Sequence, residues 1–201
     1  MKRGTVKKCK VCGYKTSRST CQYCTRKAQM ISHNFLEKFS KSQFTPRICK
    51  IIANEEYINK PSMDNLFLYG PSYTGKTISA CKHLLGHAAR DYIEQTHRTF
   101  LFVKVSELLD YFRKAMNPDT ATKLSRELLQ NIDCLVLDDL GTEKVTDWVY
   151  EQLFLILDYR YEHLKQTIIT SNYDLEELAN KYSDTRITSR IEHAYTLLKM
   201  K

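Results

Sequence analysis

The chain has 201 residues, 42% hydrophobic and 27% charged, with 6 Gly and 4 Pro. That composition supports a packed core and excludes a disordered or collagen-like chain. No apolar run reaches the roughly 18 residues of a membrane span. No apolar stretch follows the basic start Met1-Lys2-Arg3-Gly4 either, so no secretory signal is expected. These readings predict a cytoplasmic protein with no membrane partner.

The net charge of +8 is unevenly placed. Residues 1–50 hold 13 Lys/Arg against the single acid Glu37, and residues 51–201 hold 18 Lys/Arg against 22 Asp/Glu. Basicity therefore belongs to the N-terminal quarter, where it would attract a polyanion such as nucleic acid, or an acidic protein face.

The same segment carries Cys9-x2-Cys12-x8-Cys21-x2-Cys24. Each Cys-x-x-Cys supplies two thiolates from a tight turn, and the short connection lets both pairs close one tetrahedral zinc site. Disulfides would need an oxidising compartment. A redox pair would need only one of the two motifs, and neither lies in a βαβ pattern. The reading is structural Zn²⁺ on Cys9, Cys12, Cys21 and Cys24, a closed site without chemistry of its own.

Residues 25–41 read as a helix, with Ala28, Ile31, Phe35, Leu36 and Phe39 at helical spacing. Ser40 to Pro46 reads as a break, 47–59 as a further helix, and Lys60-Pro61-Ser62 as punctuation. The expected division is a zinc-binding and helical partner-binding region over 1–40, a linker helix over 41–61 and an α/β domain over 62–201. In that domain, strand-like runs at 66–69, 100–105, 134–137, 167–170 and 196–200 alternate with helical stretches near 76–95, 106–116, 120–131, 146–165 and 174–193. Ser106 and Thr146 read as N-caps, and Asp174-Leu-Glu-Glu177 as a capping box. Apolar strands alternating with amphipathic helices predict a parallel sheet covered on both faces, with ligands beyond the carboxyl ends of its strands.

Gly70-Pro71-Ser72-Tyr73-Thr74-Gly75-Lys76-Thr77 has the phosphate-loop spacing Gly-x4-Gly-Lys-Thr between a strand and a helix, with Ile78 following in the helix. Its glycines let backbone amides turn toward phosphate oxygens, and the helix N-terminus adds a favourable field. Lys76 can reach the β- and γ-phosphates, and the Thr77 hydroxyl can ligate Mg²⁺. Tyr73 stands where many such loops carry glycine, and a left-handed backbone there would cost about 1–2 kcal/mol. Downstream, the apolar strand Cys134–Leu137 ends in Asp138-Asp139-Leu-Gly141. Asp138 would hold Mg²⁺ and Asp139 would orient or deprotonate the attacking water. Asn172, after Thr167–Ser171, would either reach the γ-phosphate side or simply turn the chain.

The order Gly70–Thr77, Leu135–Gly141, Thr170-Ser-Asn172 and Arg186-Ile-Thr-Ser-Arg190 resembles an AAA+ ATPase. More narrowly it resembles the DnaC/DnaI-type replicative helicase loaders and their IstB-type transposition relatives, over about residues 60–201. The four-cysteine module is similar to the DnaI type. The resemblance implies a five-stranded sheet in order 5-1-4-3-2, Asn172 as a γ-phosphate sensor, and an arginine donated to a neighbouring subunit's ATP. Arg190 best matches that arginine, with Arg186 as runner-up. With the chain ending at Lys201, no C-terminal lid is expected, and the compact size points to a phage or mobile-element protein. The implied function is a slow, partner-stimulated ATPase. It would use ATP, Mg²⁺ and structural Zn²⁺, self-associate through its ATP site, and load or regulate a hexameric replicative helicase on single-stranded DNA. The alternatives are a transposition helper acting on duplex DNA and a weakly hydrolysing helicase adaptor or inhibitor.

Overall fold

A computed structural model describes residues 7–8, 10, 15–16, 20–22, 24–26, 29, 35–52, 64–115 and 129–201. Near the N-terminus, β1 (Lys7–Lys8) and β2 (Lys15–Thr16) pair antiparallel. Helices α1 (Phe35–Gln43) and α2 (Pro46–Ile52) follow. The expected break over 40–46 is narrower than its composition suggests. Helix α1 runs through Gln43, and Pro46 opens α2 at the first helical position, where its missing N–H costs nothing.

The main sheet holds β3 (Asn65–Tyr69), β4 (Phe100–Lys104), β5 (Cys134–Leu140), β6 (Gln166–Ser171) and β7 (Tyr195–Lys199). All pairs are parallel, in the order β4-β5-β6-β3-β7. Counting β3 as the first strand, this is the order 5-1-4-3-2 that the resemblance implies. The crossover elements are α3 (Lys76–Glu94), α4 (Val105–Ala115), α5 (Asp147–Glu162), α6 (Leu175–Tyr182) and α7 (Arg186–Ala194).

The two-residue period of the strands splits the core. Leu66, Leu68, Cys134, Val136 and Ile168 face α3, with Ala80, Cys81, Leu84 and Leu85, and also Ile48 and Ile52 of α2. Phe67, Leu135, Leu137 and Ile169 face the opposite layer of α4, α5, α6 and α7. Helix α1 closes the β4 edge, where Phe39 packs edge-on to Phe100 and the Phe102 N–H donates to Gln43 Oε1 at 3.2 Å.

Thr146 caps α5, accepting from the Val149 N–H at 3.3 Å, and the Asp174–Glu177 capping box opens α6. Two expectations are corrected. The single helix over 174–193 is two helices, because Ser183 takes a left-handed conformation (φ 53°) as the C-cap of α6 and α7 restarts after Thr185. Helix α4 begins at Val105, directly after β4, so Ser106 lies inside its first turn and not at its cap. The remainder of the helical stretch expected over 120–131 lies outside the described residues before 129.

Candidate nucleotide-binding site

The candidate residues converge on the carboxyl edge of the sheet, from β3, β5 and β6. After Tyr69 the chain turns at Gly70 (φ 138°), where a Cβ would collide with the Met200 carbonyl oxygen. Met200 is held there by its N–H, which donates to the Tyr69 carbonyl at 2.7 Å. Gly75 (φ 85°) is the N-cap of α3, and no side chain caps that helix. The amides of its first turn therefore face the loop without competition from a capping side chain. Tyr73 adopts the left-handed backbone (φ 67°) with a fully exposed side chain, 100% accessible. The loop accepts a tyrosine only at the conformational cost expected there.

Lys76 is buried, and its ammonium donates to the carbonyls of Gly70 (2.8 Å) and Pro71 (2.6 Å). Burial lowers its pKa, against the opposing pull of the Asp139 and Asp138 carboxylates nearby. The lysine thus sits inside the loop's curl, held by two loop carbonyls.

Asp138 is 0% exposed. Its Oδ1 accepts from the hydroxyls of Thr77 (2.8 Å) and Thr170 (2.7 Å), while its buried Oδ2 has no hydrogen-bond partner among the described residues. Burial raises its pKa, only partly offset by the Thr170 and Thr77 hydrogen bonds. A buried carboxylate oxygen with no donor, beside a threonine hydroxyl, fits a hard cation with oxygen ligands such as Mg²⁺. ATP fits the same place, because uncapped helix amides and a buried ammonium surround the loop.

Asp139 departs from the strand. Its backbone is left-handed (φ 63°) at an irregularity in the pairing of β5 with β6, and its N–H donates to Thr170 Oγ1 at 2.9 Å. The bend frees the Asp139 side chain from the sheet's alternation. Gly141 (φ 91°) completes the turn, where a Cβ would lie 2.7 Å from Leu178 and 2.9 Å from Tyr173. Asn172 follows directly after β6, half-buried.

Thr170 has a role that its place in the Thr170-Ser-Asn172 motif did not assign. Fully buried, its hydroxyl donates to Asp138 and accepts from Asp139, so one side chain orients both acids. An inward threonine in a strand reads as a simple β-former, and only its alignment with the acidic strand end could have marked it.

Arg186 and Arg190 project from α7 against α5. Arg186 binds the Asp184 carboxylate (Nε–Oδ2 2.9 Å) and lies over Tyr150 and Phe154. Arg190 pairs with Asp158 (Nε–Oδ1 2.6 Å). Arg160, between Tyr159 and Tyr161 on α5, points into the interior. It is 1% exposed and donates to Thr167 Oγ1 and to the carbonyls of Leu129, Ile132 and Gln166.

The profile of the IstB-like ATP-binding proteins matches residues 13–198. The chain belongs to that family. Among curated relatives, it is 31% identical over 157 residues to the chromosomal replication initiator protein DnaA of Onion yellows phytoplasma, covering 75% of this chain and 28% of that one. It is 33% identical over 135 residues to a putative insertion sequence ATP-binding protein of Sinorhizobium fredii, covering 65% and 51%. Across four such relatives, the chain spans between 28% and 51% of their length. Among solved structures, that of the DnaC helicase loader is 30% identical with a TM-score of 0.57, covering 77% of this chain and 86% of that one. The crystal structure of DnaI is 28% identical with a TM-score of 0.54, covering 77% and 81%. This IstB-like chain is therefore of the DnaC/DnaI-type AAA+ group, with that group's sheet order. No helix among the described residues is long and apolar enough to cross a membrane.

Proposed function

We propose that this protein binds Mg²⁺-ATP at Gly70–Thr77 and hydrolyses it slowly, stimulated by partners, to load or regulate a hexameric replicative helicase on single-stranded DNA. The observation that carries the reading is the joint between loop and acidic strand. Thr77 donates to Asp138 at 2.8 Å, and the second Asp138 oxygen is buried with no partner among the described residues. Lys76, released from the Gly70 and Pro71 carbonyls, meets the β- and γ-phosphates. Ile78 and the loop residues Ser72, Tyr73 and Thr74 complete the cradle. Thr77 and Asp138 would hold Mg²⁺, which when bound neutralises phosphate charge. Asp139 accepts the proton of the attacking water, and Asn172 contacts the γ-phosphate side. Arg190, or failing it Arg186, completes a neighbouring subunit's site, and an arginine so placed contributes about 10³–10⁵ in rate in related systems.

The N-terminal region 1–40 supplies structural zinc and the partner grip, 41–61 links it, and 62–201 is the ATPase domain. Zinc on Cys9, Cys12, Cys21 and Cys24 is supported by the second pair. Cys21 and Cys24 are buried, and the Cys24 N–H donates to Cys21 Sγ at 3.5 Å, the donor a metal-bound thiolate accepts. Cys9 and Cys12 lie outside the described residues. Arg26 ties the region to the ATPase domain by donating to the Ile93 carbonyl at 2.9 Å, in the last turn of α3.

Turnover measured alone, with single-stranded DNA, with duplex DNA and with replicative helicase tests the reading. Stimulation by helicase or single strands supports it. Selective stimulation by duplex DNA would favour a transposition helper instead, the reading that the IstB-like family match and the insertion sequence relative support. Turnover indifferent to all three would leave a nucleotide-dependent adaptor. Elemental analysis should find about one zinc per chain, lost when Cys21 and Cys24 are replaced together. A metal-free protein with unchanged melting would refute the zinc site.

A further inference from the structure

Arg190 is committed on several sides within its own chain. Its Nε donates to Asp158 Oδ1 at 2.6 Å, its Nη2 pairs with the same oxygen, and its Nη1 donates to the Arg186 carbonyl at 3.0 Å. The guanidinium carbon lies 4.7 Å from the centre of the Phe154 ring and 5.9 Å from that of Tyr161. Phe154, Asp158 and Tyr161 all belong to α5. A guanidinium carries five N–H donors in a rigid fork. With three engaged, one N–H on each terminal nitrogen stays available among the described residues, on a side chain that is 25% exposed.

We infer that Asp158 is a positioning residue for Arg190: with Phe154, it holds the guanidinium on α5 so that its two unengaged donors are presented outward to a second copy's ATP. This rests on the reading of Arg190 as the arginine supplied in trans. A long arginine side chain free in solvent would lose much rotamer freedom on reaching a phosphate. One fixed along its Nε edge by a carboxylate and over its face by an aromatic ring has lost that freedom beforehand. The pair is not built for stability, since Asp158 is about one-third exposed and such surface pairs contribute little to folding. Arg186 also lies over Phe154, and over Tyr150, but no α5 carboxylate holds it among the described residues. Its carboxylate partner, Asp184, stands two residues away in the turn before α7, and its own side chain is 56% exposed.

The test uses the full chain with Asp158→Ala, Asp158→Asn, Arg190→Ala and the double variant Asp158→Ala/Arg190→Ala. Readouts are turnover at saturating ATP, affinity for a fluorescent ATP analogue, and thermal melting. Misplacing a reacting group by about an ångström costs on the order of 10²-fold, so Asp158→Ala should turn over roughly 10–100-fold more slowly with unchanged ATP affinity and melting. Asp158→Asn should lose less, because its amide oxygen still accepts. The double variant should be no slower than Arg190→Ala alone, because Asp158 acts only through that arginine.

Parental turnover in Asp158→Ala beside a slow Arg190→Ala overturns the inference and leaves the reading of Arg190 standing. Faster turnover in Asp158→Ala also overturns it, by showing that the carboxylate restrains the arginine. A double variant slowed by the product of the two single effects overturns it as well. Parental turnover in Arg190→Ala removes the reading on which the inference rests, and the inference with it.

Discussion

Thr170 gives the sharpest test of how the acidic strand end is held. Thr170→Val keeps the shape and removes the hydroxyl. Two hydrogen bonds go with it: the one donated to Asp138 Oδ1 at 2.7 Å and the one accepted from the Asp139 N–H at 2.9 Å. A hydrogen bond to a charged group contributes about 1.5–3 kcal/mol, and a buried N–H left unpaired costs about 1–3 kcal/mol. Asp138 still keeps its bond from Thr77. The net loss for Thr170→Val should then be about 3 kcal/mol. Thr170→Ser keeps the hydroxyl and removes one buried methyl, a loss of about 1 kcal/mol. Urea unfolding of the two variants beside the parent measures both, and for a chain of this length the valine variant should melt about 6–12 °C lower. Losing the Thr170 donor also pushes the Asp138 pKa further up, so Mg²⁺-dependent nucleotide binding should weaken more in Thr170→Val than in Thr170→Ser. If the valine variant is as stable as the serine variant, the hydroxyl does not hold the site together.

Two further predictions concern buried polar groups away from the site. Arg160→Met strands the carbonyls of Leu129, Ile132 and Gln166 in the interior and should destabilise the protein by about 3–5 kcal/mol in urea unfolding; a loss near zero would mean that those carbonyls find other donors. His87 is buried on α3 with Nδ1 unpartnered among the described residues, and burial, with repulsion from His83, Arg98 and Arg90, pulls its pKa down to about 4. The unfolded chain therefore binds the proton first, and this group's stabilisation, complete above about pH 6.5, declines as pH falls toward 4 by about 3 kcal/mol in total. His87→Gln should flatten the melting temperature over that window relative to the parent, and an equally steep decline in both would show that His87 is not the group responsible.

The parts of this molecule legible in the sequence are those whose signals are local. The period-two strands and the loop Gly70–Thr77 are fixed by neighbours a few residues apart. The expected strand bounds accordingly fall within a few residues of β3 to β7, and the loop lies between β3 and α3 as its spacing requires. The capping box at Asp174 is equally local. The end of α6 is not, because a serine rather than a glycine adopts the left-handed cap, and the periodicity of 174–193 runs smoothly through it. The site's supporting contacts escape for a different reason. Thr170 meets Asp138 across 32 residues, and Asp158 meets Arg190 across 32 more, and no spacing rule links such pairs. The burial of Arg160 is equally hidden, since arginines are mostly exposed and the carbonyls that converge on it come from distant segments.

In the function proposed above, Lys76 and Thr77, joined to Asp138, form the Mg²⁺-ATP site. Its most direct test is titration of a fluorescent ATP analogue into the parent and Lys76→Ala, each with Mg²⁺ and with a chelator, beside melting curves that establish both as folded. Binding should be Mg²⁺-dependent in the parent and absent in Lys76→Ala. Equal affinity in the two folded proteins would contradict it.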